Sequence, residues 1–243
     1  MAEEAGASLL YNITRPWQLT AASTPLCPSQ AALVCFLGQS RKDRVLRYLF
    51  PDNPPRKVRG FNLWVNHRTW PTDQLILFAD RDPLQGCQLP DTKLLARDEL
   101  ISITWSSDPA LPPQDVIVTR CLLSFIHVIC IFATDLGGLP GVRRLLNQWA
   151  IAGRDTTRPS LQTRIIVLVN MDKISKSDRQ ALFQQLDGLE LYTSVHLLPV
   201  LRGDVFSDKA RYHLVKKEIL KALDWTTQER VTMQILFLAC HLA

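Results

Sequence analysis

Three short stretches of the chain carry residue types that could do chemistry. The first is Gly38-Gln39-Ser40-Arg41-Lys42-Asp43-Arg44, where a glycine turn closes an apolar run and cations follow. If a helix starts there, Arg41, Lys42 and Arg44 add their charge to its positive amino end and favour an anion. The second is Asp80, which ends the apolar run 74–79 and precedes Arg81-Asp82-Pro83, a turn that a strand-end aspartate can cap. The third is Asn170-Met171-Asp172, an amide and a carboxylate at the tip of the apolar run 164–170.

Other chemistries find no support. Gly38-Gln39-Ser40 lacks the second glycine of a Gly-x-Ser-x-Gly nucleophile elbow. The five histidines form no metal-binding pair on a helix face, and His127, inside an apolar run, reads as a satisfied core residue. The six cysteines show neither Cys-x-x-Cys nor zinc-ligand spacing, and Cys35 and Cys130 read as buried thiols. The six tryptophans are dispersed, so no aromatic and basic ladder points to single-stranded nucleic acid.

With 243 residues, 47% hydrophobic and 21% charged, the chain can bury a substantial core. The apolar stretch 121–133 is interrupted by Ser124 and His127 and is shorter than the roughly twenty residues a membrane-spanning helix needs, so no transmembrane segment is expected. The acidic start Met-Ala-Glu-Glu is unlike a secretory signal, which points to the cytosol or nucleus, with a cytoplasmic location expected, and leaves the sequon at Asn12 without meaning. The net charge of +5 is local: residues 41–68 carry +6 and the remainder −1. That window (Arg41, Lys42, Arg44, Arg47, Arg56, Lys57, Arg59 and Arg68) could meet nucleic acid or anionic lipid.

Elements that would position these residues follow from the hydrophobic pattern. Continuous apolar runs at 31–37, 74–79, 126–133 and 164–170 predict strands buried on both faces, as in a parallel sheet. Further strands are expected at 58–66, 100–105 and 193–201, and helices after Gly38, at 115–124, after Gly137-Gly138, at 177–186 and at 207–223. Thr226-Thr227-Gln228-Glu229 has the pattern of a capping box opening a further helix. The alternation predicts an α/β fold with a mostly parallel sheet flanked by helices.

This order of elements resembles a Ras-like GTPase domain, a phosphate-loop nucleotide-binding fold built as a three-layer sandwich. The resemblance covers about residues 31–223, preceded by an extended leader at 1–30 and followed at 224–243 by the start of a truncated helical segment. It implies GTP or ATP with Mg²⁺ as ligand, phosphate contacts at Gly38, Ser40, Lys42 and Arg44, and a metal-linked carboxylate at Asp80. It also implies a base-reading pair, Asn170 and Asp172. The motifs depart from the family. With Gly38 as the second glycine of Gly-x-x-x-x-Gly-Lys-Ser/Thr, Ser40 keeps the hydroxyl, but Leu33 and Gln39 replace the first glycine and the lysine. The family's Asp-x-x-Gly is missing after Asp80, and in its Asn-Lys-x-Asp the aspartate falls one position early.

The expectation is therefore a degenerate, GTPase-like regulatory or interaction module of a larger intracellular protein, with weak or no hydrolysis, whose partner is another protein or a downstream domain. Divergent domains that look like this occur in fungal multidomain proteins, some ahead of patatin-like lipid hydrolases, for which this would be a regulatory region. The alternatives are an active divergent NTPase, with Lys42 or Arg44 on phosphate and Asp80 on metal, and a basic-patch binder of nucleic acid or anionic lipid.

Overall fold

A computed structural model of the chain describes residues 30–51, 61–66, 68–69, 74–83, 115–116, 118–153, 163–170, 174–186, 192–200 and 206–233. The expected leader, the strand at 100–105, and the cations Arg56, Lys57 and Arg59 lie outside them, apart from Gln30.

Six strands form one sheet: β1 (Gln30–Leu37), β2 (Phe61–Val65), β3 (Gln74–Arg81), β4 (Ile126–Phe132), β5 (Thr163–Val169) and β6 (Tyr192–Pro199). Their spatial order is β2-β3-β1-β4-β5-β6, with only the β2–β3 pairing antiparallel. The four apolar runs expected to be neighbours are the four central strands. They are apolar on both sides because helices cover both faces. On one face α1 (Ser40–Leu49) and α4 (Asp208–Thr232) pack on Val34, Phe36, Phe78, Val128 and Cys130. On the other, α2 (Leu139–Gly153) and Leu182 of α3 (Lys176–Leu186) pack on Leu33, Cys35, Leu37, Leu77 and Ile131. No helix among the described residues is long and apolar enough to cross a membrane.

Two expectations need correction. Within 115–124 the chain forms a π-helical turn, Val118–Leu122, rather than an α-helix through the whole segment. The β-branched Val118 and Thr119 weaken an α-helix there. The pattern at Thr226 does not open a helix either, because α4 runs unbroken through it. Thr226 is buried and its hydroxyl donates to Ala222 O one turn back, so it acts as a mid-helix residue. The true amino cap of α4 is Ser207, whose Oγ accepts from Ala210 N at 3.3 Å.

The far end of α4 is pinned to the sheet through a bulge. Leu33 pairs with Ile126 but Val34 pairs with Val128, which leaves His127 as an extra residue opposite β1. The slip puts Ile126 on the same face as Ile129 and Ile131, and Val128 on the opposite one. The His127 ring restores the interrupted ladder, with Nδ1 accepting from Leu33 N at 3.2 Å. Arg230 reaches in from α4, donating to Ile126 O at 2.7 Å and Phe125 O at 3.3 Å, and its Nη1 lies 3.5 Å from His127 Nδ1. Phe125 O is also 3.0 Å from Nδ1. Because Leu33 N–H and the guanidinium both point donors at Nδ1, the neutral ring with its proton on Nε2 fits the site.

Burial, and then the Arg230 charge, push the His127 pKa down to about 3 from an ordinary 6.5. The folded state therefore resists a proton that the unfolded chain accepts below pH 6.5. The associated stability is complete above that pH and falls as pH drops toward 3, by about 1.4 kcal/mol per pH unit. Urea melts between about pH 5 and 6.5, above the range where carboxylates ordinarily titrate, are expected to show the slope in the wild type and lose most of it in His127→Gln. Equal slopes in the two proteins would refute this account of the bulge.

A charged edge closed from within

The carboxyl ends of β1, β3, β4 and β5 share one edge of the sheet, which gathers most of the residues singled out in the sequence. Gly38 follows β1 and donates its N–H to Arg81 O at 3.1 Å across to β3. Only Gly38 and Gln39 separate β1 from α1, so the chain turns in two residues. Ser40 is exposed at the first position of α1.

Lys42 is not a surface cation. On α1 it shares a face with Val45, Leu46 and Leu49, all buried, at the spacing i, i+3, i+4, i+7 that marks a core-facing stripe. Its side chain is 6% exposed, and its ammonium pairs with Asp80, 3% exposed, at the end of β3; Asp43 Oδ1 is 3.4 Å away. Burial holds the Lys42 pKa below its usual value, and the charge and hydrogen bond of Asp43 and then the charge of Asp82 pull it back upward. The residue implied as a phosphate ligand and the residue implied as a metal ligand thus meet each other.

The next residue on β3 solves the same problem on the opposite face. Arg81, buried, donates to Asp115 Oδ1 at 3.1 Å, and Asp115 is buried as well. Asp82 then accepts from Gln39 Nε2 at 3.2 Å, tying the end of β3 back to the turn after β1.

Asp135 completes the edge. It lies in the 3₁₀ turn Ala133–Leu136 that follows β4, a turn ended by Gly137 in the left-handed region at φ 81°. Its Oδ2 accepts from Gln39 N at 2.7 Å and from Lys42 N at 3.0 Å, and Oδ1 lies 3.4 Å from Arg41 N. These are the amino-terminal N–H groups of α1 that have no partner within the helix. Gly38 makes the approach possible: a Cβ there would sit 2.8 Å from Asp135 Oδ2 and 2.9 Å from Phe132 Cβ.

Arg44 is exposed and lies 3.3 Å from Asp208 on α4, which Arg211 also contacts at 2.8 Å. Asn170 follows β5 at the same edge, half-buried, two strands from Gly38. Asp172 lies outside the described residues. Among the described cations of the basic window 41–68, Lys42 faces the interior while Arg41, Arg44, Arg47 and Arg68 are exposed.

The place of Asp135 at this edge was not evident from the sequence, because nothing local ties it to Gln39, 96 positions away. Lys42 did carry a signal, its place on the apolar stripe of α1.

Removing one member of a buried pair leaves the other charge stranded, at a typical cost of about 3–5 kcal/mol. Asp80→Ala and Lys42→Met are each expected to destabilise the fold on that scale in urea melts. The double variant should cost at least about 1 kcal/mol less than the sum of the two. Additive losses would mean that the two groups do not depend on each other.

No protein-family model matches this chain, and no curated protein matches it, so the chemistry of the edge rests on its own side chains.

Proposed function

We propose that this chain is a Ras-like α/β module that has given up nucleotide chemistry and works by binding a protein partner or another part of its own polypeptide. The sheet order β2-β3-β1-β4-β5-β6, with β2 alone antiparallel, supports the comparison with Ras-like domains. Fold likeness by itself does not specify activity. The observation that carries the reading is the buried pair of Lys42 and Asp80. In a working phosphate loop the lysine lies against phosphate and the carboxylate is turned to Mg²⁺. Here each neutralises the other, and a two-residue turn offers too little backbone to wrap a phosphate. These residues do not fit a Mg²⁺-nucleotide at the turn.

Surface chemistry favours binding over the alternatives. The last turns of α4 present Trp225 and Met233 to solvent, and both line a depression of about 600 Å³ together with Asp224, Gln228, Glu229 and Thr232. Exposed apolar groups gathered on one helix end are a feature of contact surfaces. A role as a polyanion binder is less well supported, since Lys42 is buried and Arg44 is paired with Asp208.

Titration of the purified chain with fluorescent GTP and ATP analogues, with and without Mg²⁺, is expected to give no saturable signal and no turnover above buffer. A saturable, Mg²⁺-dependent signal would replace this reading with that of a divergent NTPase.

A further inference from the structure

We infer that Asp135 is a tethered anion, a carboxylate of the chain itself held where an oxyanion would otherwise lie against the amino end of α1. The inference rests on reading the Gly38 turn as derived from a phosphate loop, and it explains what occupies that turn in place of a nucleotide phosphate. Two main-chain donors, Gln39 N and Lys42 N, converge on one oxygen, Oδ2, at 2.7 and 3.0 Å. Such convergence of amino-terminal N–H groups on a single oxygen is how helix ends hold phosphate and carboxylate ligands. The carboxylate comes from a different strand connection, more than ninety residues along the chain, so it is not a local cap of α1.

The space around the carboxylate is shaped to it. Gly38 leaves room that any side chain would fill, because a Cβ would fall within 3.1 Å of Asp135 Oδ2, Phe132 Cβ and Lys42 Cβ alike. The turn bearing Asp135 is itself fixed: Gly138 N donates to Ala133 O at 2.8 Å, and both Ala133 and Leu136 are buried. Asp135 is therefore delivered by a rigid turn into a cradle that has lost the room for a free anion. The contact also acts as a strap, joining the β4–α2 connection to the start of α1 across the carboxyl ends of β1 and β4.

The strap should behave as a ligand that can be replaced. In Asp135→Ala the cradle opens while its donors remain. Thermal melting of wild type and Asp135→Ala, in inorganic phosphate or in chloride at matched ionic strength, tests this. Asp135→Ala is expected to melt several degrees below wild type in chloride and to recover a saturable part of the loss in phosphate, whereas wild type responds to neither salt specifically. Equal responses of the two proteins to phosphate would show that Asp135 is only a structural tie and overturn the inference. If the alanine variant does not fold, Asp135→Asn supplies the test, since it keeps the shape and loses the charge. A melting point below wild type supports the tethered anion, and one equal to wild type overturns it. The outcome is separable from that of the functional reading. Nucleotide binding by the wild type would sink the latter, while an Asp135→Ala protein indifferent to phosphate would sink only the tethered anion.

Discussion

A lysine placed on the core-facing stripe of a helix must find a carboxylate inside the protein, because an unpaired buried charge costs several kcal/mol. In this chain that requirement falls on Lys42, and Asp80 meets it. The position of α1 follows. The helix has to lie over the end of β3 as well as beside β1, and the connection from Gly38 has to be short enough to bring Lys42 there. With α1 so placed, its amino end points at the turn after β4, and Asp135 fills it. The charges and open donors of this edge are neutralised by the chain itself.

The same economy of pairing recurs at both ends of the sheet. At the carboxyl edge, consecutive residues Asp80 and Arg81 send opposite charges to opposite faces, and each meets a buried partner from elsewhere in the chain. At the amino edge, a bulge breaks the β1–β4 ladder, the His127 ring replaces the lost acceptor, and Arg230 fastens the end of α4 over it. Arg164 adds to that end, contacting Glu229 at 3.0 Å with its guanidinium 4.6 Å from the Trp225 ring centre. The length of α4 is thus held at both ends, by Asp208 near α1 and by Arg230 near the bulge.

The sheet was legible in the sequence because its physical cause is local: a strand covered on both faces has to be apolar at every position, and four runs are. The start of α1 was legible for the same reason, as was the burial of His127. The charged pairings were not. Lys42 read as part of a basic surface because it sits among exposed arginines, although its spacing from Val45, Leu46 and Leu49 placed it inward. The partnership of Asp135 with Gln39, and of Arg230 with Ile126 O, depends on which strands become neighbours, and no spacing along the chain encodes that. Thr226 misled for a related reason, since a capping pattern is identical in sequence whether it starts a helix or lies within one.

Backbone amide hydrogen exchange in the wild-type chain, resolved at Gln39, Ser40 and Lys42, tests the self-closed edge most directly. Amides at an open helix amino end exchange rapidly through small fluctuations, whereas those held by a carboxylate of the chain wait for larger openings. Strong protection is expected at Gln39 and Lys42 and none comparable at Ser40, which has no such acceptor among the described residues. Rapid exchange at all three would show the cradle open in solution and contradict it.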